Sequence, residues 1–103
     1  MTDNFDTLNS VFATIKDRQT TPKAGSYTNS LFDAGLDEIT KKVGEEAIEV
    51  IIAAQHQGNE RLISELADLT YHCLVLIAQM GFSPDDVAAE LRRRHVPQSE
   101  SER

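Results

Sequence analysis

The sequence predicts an all-α fold, a helical bundle built on a central antiparallel helix hairpin. Three observations lead there. Apolar residues recur at helical spacing through segment after segment. Gly and Pro punctuate the sequence into those segments. No stretch alternates apolar and polar residues as a half-buried strand does. A length of 103 residues leaves room for one modest core. We read residues 1–96 as a single all-α domain and 97–103 as a flexible polar tail.

The first helix is expected over Asn4 to Gln19, where Phe5, Leu8, Val11, Phe12 and Ile15 share one face. Thr20 to Asn29, with Pro22 and Gly25, breaks it. Ser30 to Ala34 can form a short helical turn before Gly35. The longest periodic run is Leu36 to Gln57, with Gly58 placed to end it at C′. Asn59 is a suitable cap for the next helix, which runs to about Met80 and stops at Gly81. Ser83-Pro84-Asp85-Asp86 is a start signal: Ser as N-cap, Pro at N1 and acids in the first turn. Val87, Leu91 and Val96 lie on that last helix.

Ten basic against 17 acidic residues give a net charge of −7. That balance argues against a nucleic-acid groove, which needs clustered Lys and Arg to displace counterions. The longest apolar stretch, Ala47 to Ala54, contains Glu49 and is far too short to span a bilayer. The acidic N-terminus has no apolar secretory segment. A single cysteine, Cys73, allows no intrachain disulfide and suits a cytoplasmic location. An acidic protein still handles polyphosphate when divalent cations lie between the two sets of negative charge. Two classes therefore remain, a metal-dependent enzyme and an acidic, non-catalytic helical interaction module.

The informative residues lie on the two central helices: Glu45-Glu46-x-x-Glu49 on the first, Glu65-x-x-Asp68 with His72 one turn on in the second. Leu36, Ile39, Val43, Ala47, Val50 and Ala54 form one apolar stripe of the first helix. At ~100° per residue, Glu46 projects within roughly 20° of Ile39, at the edge of that stripe. Glu49 lies about 60° away on the same flank, with Lys42 between them. On the second helix Leu62, Leu66, Leu69, Cys73, Leu76, Ile77 and Met80 form the stripe, bordered by Glu65, Asp68 and His72. Antiparallel packing brings both carboxylate pairs to one seam.

Each acid also has a plain reading. Helical carboxylates are mostly solvated. Lys41/Glu45 and Lys42/Glu46 have the spacing of ordinary i,i+4 pairs, worth a few tenths of a kcal/mol. Position favours more: a carboxylate against an apolar stripe needs a partner. Four carboxylates at one seam repel unless something positive lies between them. Mg²⁺, which combines carboxylate ligands with substrate phosphates, fits that need. The spacing leaves the solvated and metal-binding readings both open. Ser26, Tyr27 and Thr28 are either cap residues or a mobile substrate-contacting loop. His72 is either a satisfied helix histidine or a partner to Glu65. Cys73 falls on the apolar stripe as core. Arg92, Arg93 and Arg94 fit a solvated helix end better than a phosphate clamp.

These residues carry a resemblance. The acidic pattern is similar to that of the all-α NTP pyrophosphohydrolase superfamily, which includes MazG-type enzymes and dimeric dUTPases. Gly25-Ser26-Tyr27-Thr28, Lys42 to Val50 and Glu65 to His72 resemble more narrowly the phosphoribosyl-ATP pyrophosphohydrolase family, with likeness running from about Asp6 to His95. The resemblance implies Mg²⁺-dependent hydrolysis of phosphoribosyl-ATP to phosphoribosyl-AMP and pyrophosphate, the second step of histidine biosynthesis. By position it implies Glu46, Glu49, Glu65 and Asp68 as metal ligands and Glu45 and Glu46 as catalytic. Lys42 would face phosphate oxygens, with Ser26, Tyr27 and Thr28 at the substrate and His72 behind the ligands. A MazG-type house-cleaning NTP pyrophosphatase uses the same metal logic and is the alternative enzyme. The cyclohydrolase to which this activity is fused in many bacteria needs Cys and His zinc ligands, and is not expected in this sequence.

A homodimer, or a larger assembly containing one, is also expected. Ile48, Ile51 and Ile52 lie about 120° to 220° around the helix from Ile39, and Ile63, Leu74 and Val75 fall outside the stripe of the second helix. A helix apolar nearly all round needs burial on several sides. Pairing two hairpins into a multi-helix bundle would provide it.

Overall fold

The computed structural model describes the backbone of residues 4–95 and side chains over 6–95. The Phe5 side chain, Val96 and the 97–103 tail lie outside the described residues. Five helices follow one another: α1 (Asn4–Thr20), α2 (Tyr27–Ala34), α3 (Leu36–His56), α4 (Gly58–Met80) and α5 (Pro84–Arg94). No strand occurs among the described residues, so the all-α expectation holds.

The short second helix starts earlier than expected. Ser26 takes an extended N-cap conformation, and its Oγ accepts from the Asn29 N–H at 3.2 Å. The preceding loop is tied down by buried Asn29, whose Oδ1 accepts from the Lys23 N–H at 2.8 Å. Its Nδ2 donates to the Arg18 carbonyl, also at 2.8 Å. Tyr27 and Thr28 therefore belong to the first turn of a helix, not to a mobile loop.

Only Gln57 separates α3 from α4. Gly58, at φ +83°, makes the reversal that an L side chain would strain. The helix is already under way there, so Asn59 lies in its first turn and is not the cap. At the far end Gly81 is left-handed, its N–H bonding Ala78 O while the Phe82 N–H bonds Ile77 O, a Schellman closure. The Ser83 N–H then donates to Asp86 Oδ2 at 2.9 Å and starts α5.

The antiparallel α3–α4 hairpin is the most extensive pairing; α1 lies along α4, and α2 bridges α1 and α3. Ile15, Leu31, Ile39, Leu74, Val75 and Ala78 form the core where these four helices meet. Each large aliphatic side chain buried there stabilises the fold by about 1.5 to 3 kcal/mol.

Leu74 and Val75 correct the expected stripe. Both are buried, whereas Leu66 and Met80, placed inward by the sequence, are exposed. The reason is α1, which covers a flank of α4 that a two-helix wheel assigns to solvent. On α3 only Ile39 and Ala53 are fully buried, while Leu36 and Ala54 are exposed. Cys73 is half-buried, and burial pushes its thiol pKa up. No residue of α5 is buried, and both Val87 and Leu91 are exposed. By length and composition, α4 is apolar enough to cross a membrane. Here it is a core helix, with Glu65, His72, Leu74, Val75 and Ala78 buried along it.

Candidate active site

The two long helices carry the acids to a common hollow. Its ≈ 590 Å³ is lined by Lys42, Glu45, Glu46 and Glu49 from α3 and by Arg61, Glu65 and Asp68 from α4. A one-residue connection fixes the register of the two helices, so i,i+3 pairs on each arrive at matching heights. Glu46, Glu65 and Asp68 each offer a carboxylate oxygen within 4.8 Å of the others. Glu49 lines the same hollow but stands outside that group.

Glu65 is 3% exposed and is the buried member. A charge so placed requires a partner. Arg61 Nη2 reaches its Oε2 at 2.8 Å. On the other helix Lys42 Nζ lies 3.5 Å from Glu45 and 3.8 Å from Glu46. Desolvation pulls the Lys42 ammonium down, but Tyr27, Glu45 and Glu46 outweigh it and leave its pKa above the ordinary lysine value. Three convergent oxygen donors, one of them buried, fit a hard divalent cation such as Mg²⁺, with Glu49 near enough to the group to share the hollow.

Beside the acids, α2 is fastened to α4 by two hydroxyl contacts. Buried Thr28 bonds the Tyr71 hydroxyl through its Oγ1. Tyr27 Oη lies 2.8 Å from His72 Nε2, and His72 Nδ1 lies 2.7 Å from the Asp68 carbonyl. A carbonyl only accepts, so Nδ1 carries the proton; in the neutral ring Nε2 then accepts from Tyr27. Both imidazole nitrogens are thus engaged away from Glu65, so of the two readings of His72 the satisfied helix histidine is the one the contacts match. His72 touches the backbone carbonyl of Asp68, one turn earlier on the same helix. It stands edge-on to the rings of Tyr27 and Tyr71, at 5.8 and 5.6 Å between centroids. Burial raises the Tyr27 pKa, Lys42 opposes the shift, and Glu46 and Tyr71 add to it, so the phenol remains a donor.

The structure thus brings Lys42, Glu45, Glu46, Glu49, Glu65 and Asp68 to one place. Among Ser26, Tyr27 and Thr28 only Tyr27 is exposed; Ser26 is occupied as a cap and Thr28 with Tyr71. Arg93 and Arg94 bond Glu90 on the exposed face of α5, in keeping with a solvated helix end. Sequence reasoning missed Arg61. Its i,i+4 spacing to Glu65 was the available signal. It also missed the reach of Tyr71 to Thr28, 43 residues apart, for which no local pattern exists.

Comparisons with known proteins place this hollow within a family match. The profile of the phosphoribosyl-ATP pyrophosphohydrolase family matches residues 8–95. A phosphoribosyl-ATP pyrophosphatase of Listeria welshimeri is 56% identical over 87 residues, 84% of each chain. That of Streptococcus thermophilus is 49% identical over 92 residues, covering 89% of this chain and 88% of the relative. The histidine biosynthesis bifunctional protein HisIE of Oceanobacillus iheyensis is 48% identical over 93 residues, 90% of this chain but 43% of that larger protein. With the acidic hollow inside the matched region, the chain is a hydrolase and belongs to the phosphoribosyl-ATP pyrophosphohydrolase family.

Proposed function

We propose that the chain hydrolyses phosphoribosyl-ATP to phosphoribosyl-AMP and pyrophosphate in histidine biosynthesis, using Mg²⁺ held by Glu46, Glu65 and Asp68, with Glu49 completing the set. The observation that carries this reading is the convergence of those three carboxylates within 4.8 Å in a family member. When bound, Mg²⁺ supplies the charge neutralisation and water activation that phosphoanhydride cleavage requires. Glu45, at the rim and about half exposed, is placed to accept the proton of the attacking water. Lys42, already poised between Glu45 and Glu46, donates to phosphate oxygens. The exposed Tyr27 meets the substrate, with Ser26 and Thr28 setting its helix and His72 its hydroxyl.

The exposed Ile48, Ile51, Ile52 and Ile63 support a homodimer in which two hairpins bury these faces against each other. The unit is one domain working in the cytoplasm, without nucleic acid or membrane as partner; the net charge of −7 supports the first exclusion.

A pyrophosphate-release assay on phosphoribosyl-ATP, ATP, dCTP and dUTP, with and without Mg²⁺, tests the reading. Release from phosphoribosyl-ATP alone, and only with metal, is expected. Preference for another triphosphate would assign the chain to the MazG-type chemistry instead.

A further inference from the structure

Arg61 is the second cation of the acidic hollow. It stands one turn before Glu65 on α4, with its guanidinium 2.8 Å from the carboxylate of that buried residue. Its own side chain is 57% exposed, so the stem is free to turn while the acid is not. Glu65 also belongs to the group of oxygens shared with Glu46 and Asp68. Arg61 and a divalent cation held by that group would therefore draw on one carboxylate. Lys42 occupies the matching place on α3, against Glu45 and Glu46. One cation from each helix thus brackets five carboxylates.

We propose that Arg61 exchanges partners during the reaction cycle: it neutralises Glu65 in the metal-free chain, then turns to non-bridging oxygens of the substrate's pyrophosphate portion. This rests on the reading of the hollow as a metal–phosphate site and names a residue for the leaving group. Guanidinium suits both partners, since its planar fork donates in parallel to two oxygens of a carboxylate or of a phosphate. The exchange needs only side-chain rotation at an exposed position. Once the metal draws on the Glu65 charge, the guanidinium is left beside an anionic ligand that brings new acceptors into the same hollow. Lys42 and Arg61 then hold the departing pyrophosphate from opposite helices. An ordinary i,i+4 pair would do none of this, because its influence ends at its own helix.

Two measurements without nucleotide decide the matter, on Arg61→Gln and Arg61→Lys in the full chain. Mn²⁺ titration followed by electron paramagnetic resonance reads the metal alone, and calorimetry with inorganic pyrophosphate reads the Mn²⁺-loaded protein. For Arg61→Gln, Mn²⁺ should bind more tightly, since a competing positive charge has gone. Pyrophosphate should bind about tenfold more weakly, the scale of one lost charge-assisted contact. Arg61→Lys should fall between it and the parent chain in both. The opposite signs are diagnostic, because a residue that merely props up Glu65 would weaken both ligands when removed. Unchanged pyrophosphate affinity in Arg61→Gln, or looser Mn²⁺ binding, overturns the proposal. Failure of the parent chain to cleave phosphoribosyl-ATP would count against the proposed function and would appear separately.

Discussion

The Tyr27 hydroxyl donates to His72 Nε2 across 2.8 Å and so joins the first turn of α2 to the helix carrying Glu65 and Asp68. Because His72 holds the Asp68 carbonyl through its other nitrogen, a contact 45 residues away in sequence bears on the turn that carries Asp68.

Tyr27→Phe tests that linkage. Loss of the hydroxyl leaves Nε2 of a buried histidine without its donor, at a cost of about 1 kcal/mol and no more, since Tyr27 itself is exposed and water can take the place of its hydroxyl. Urea denaturation measures the loss, and turnover should fall with it. A variant equal to the parent chain in both respects would reduce the contact to a coincidence of packing.

Glu46→Gln and Asp68→Asn should each abolish metal-dependent pyrophosphate release while the helical circular dichroism stays unchanged. Removing one of several crowded carboxylates relieves repulsion in the metal-free protein, so thermal stability without metal should hold or rise. Near-normal activity at saturating Mg²⁺ in either variant would show that the ligands lie elsewhere.

Sedimentation equilibrium should give a mass twice the 11.5 kDa of one chain. Ile63, 67% exposed on α4, and Ile48, 57% exposed on α3, are the residues to challenge. Ile48→Asp and Ile63→Asp should shift the equilibrium to monomer, because a charge in the paired face would be buried unpaired. A parent chain that sediments as a fully active monomer would defeat the dimer.

Glu90 offers a pH test on α5. Hydrogen bonds from Arg93 and Arg94 lower its pKa from 4.5 to about 2. A folded-state pKa below the unfolded value means a contribution fully present above pH 4.5 and lost as pH falls through about 2. The group is fully exposed, so salt should screen the contacts and return the pKa towards its ordinary value. Carboxyl NMR titration of Glu90 at low and high salt follows this. A value near 4.5 at low salt would mean that the arginines are not seated on it.

Much of this molecule was legible in its residues because the causes are local. Gly81 ends α4 through a positive φ and the Phe82 and Gly81 N–H bonds, all within one turn. Ser83, Pro84 and Asp86 start α5 in the same way. The acidic pairs at i and i+3 were visible because helical periodicity alone puts them on one flank. The family likeness was carried by those same stretches, and the match over residues 8–95 accords with it.

Tertiary structure decided what depends on which neighbour arrives. Leu74 and Val75 are inside because α1 lies over α4, and no wheel drawn for the hairpin contains α1. Thr28 and Tyr27 sit in a helix, each bonded to a residue of α4 more than 40 positions away. The separation of Glu46, Glu65 and Asp68 was set by the single-residue turn at Gln57, which fixed the register between α3 and α4. Helix starts and stops follow from hydrogen bonds within a turn; burial and site geometry follow from packing between turns far apart in the chain.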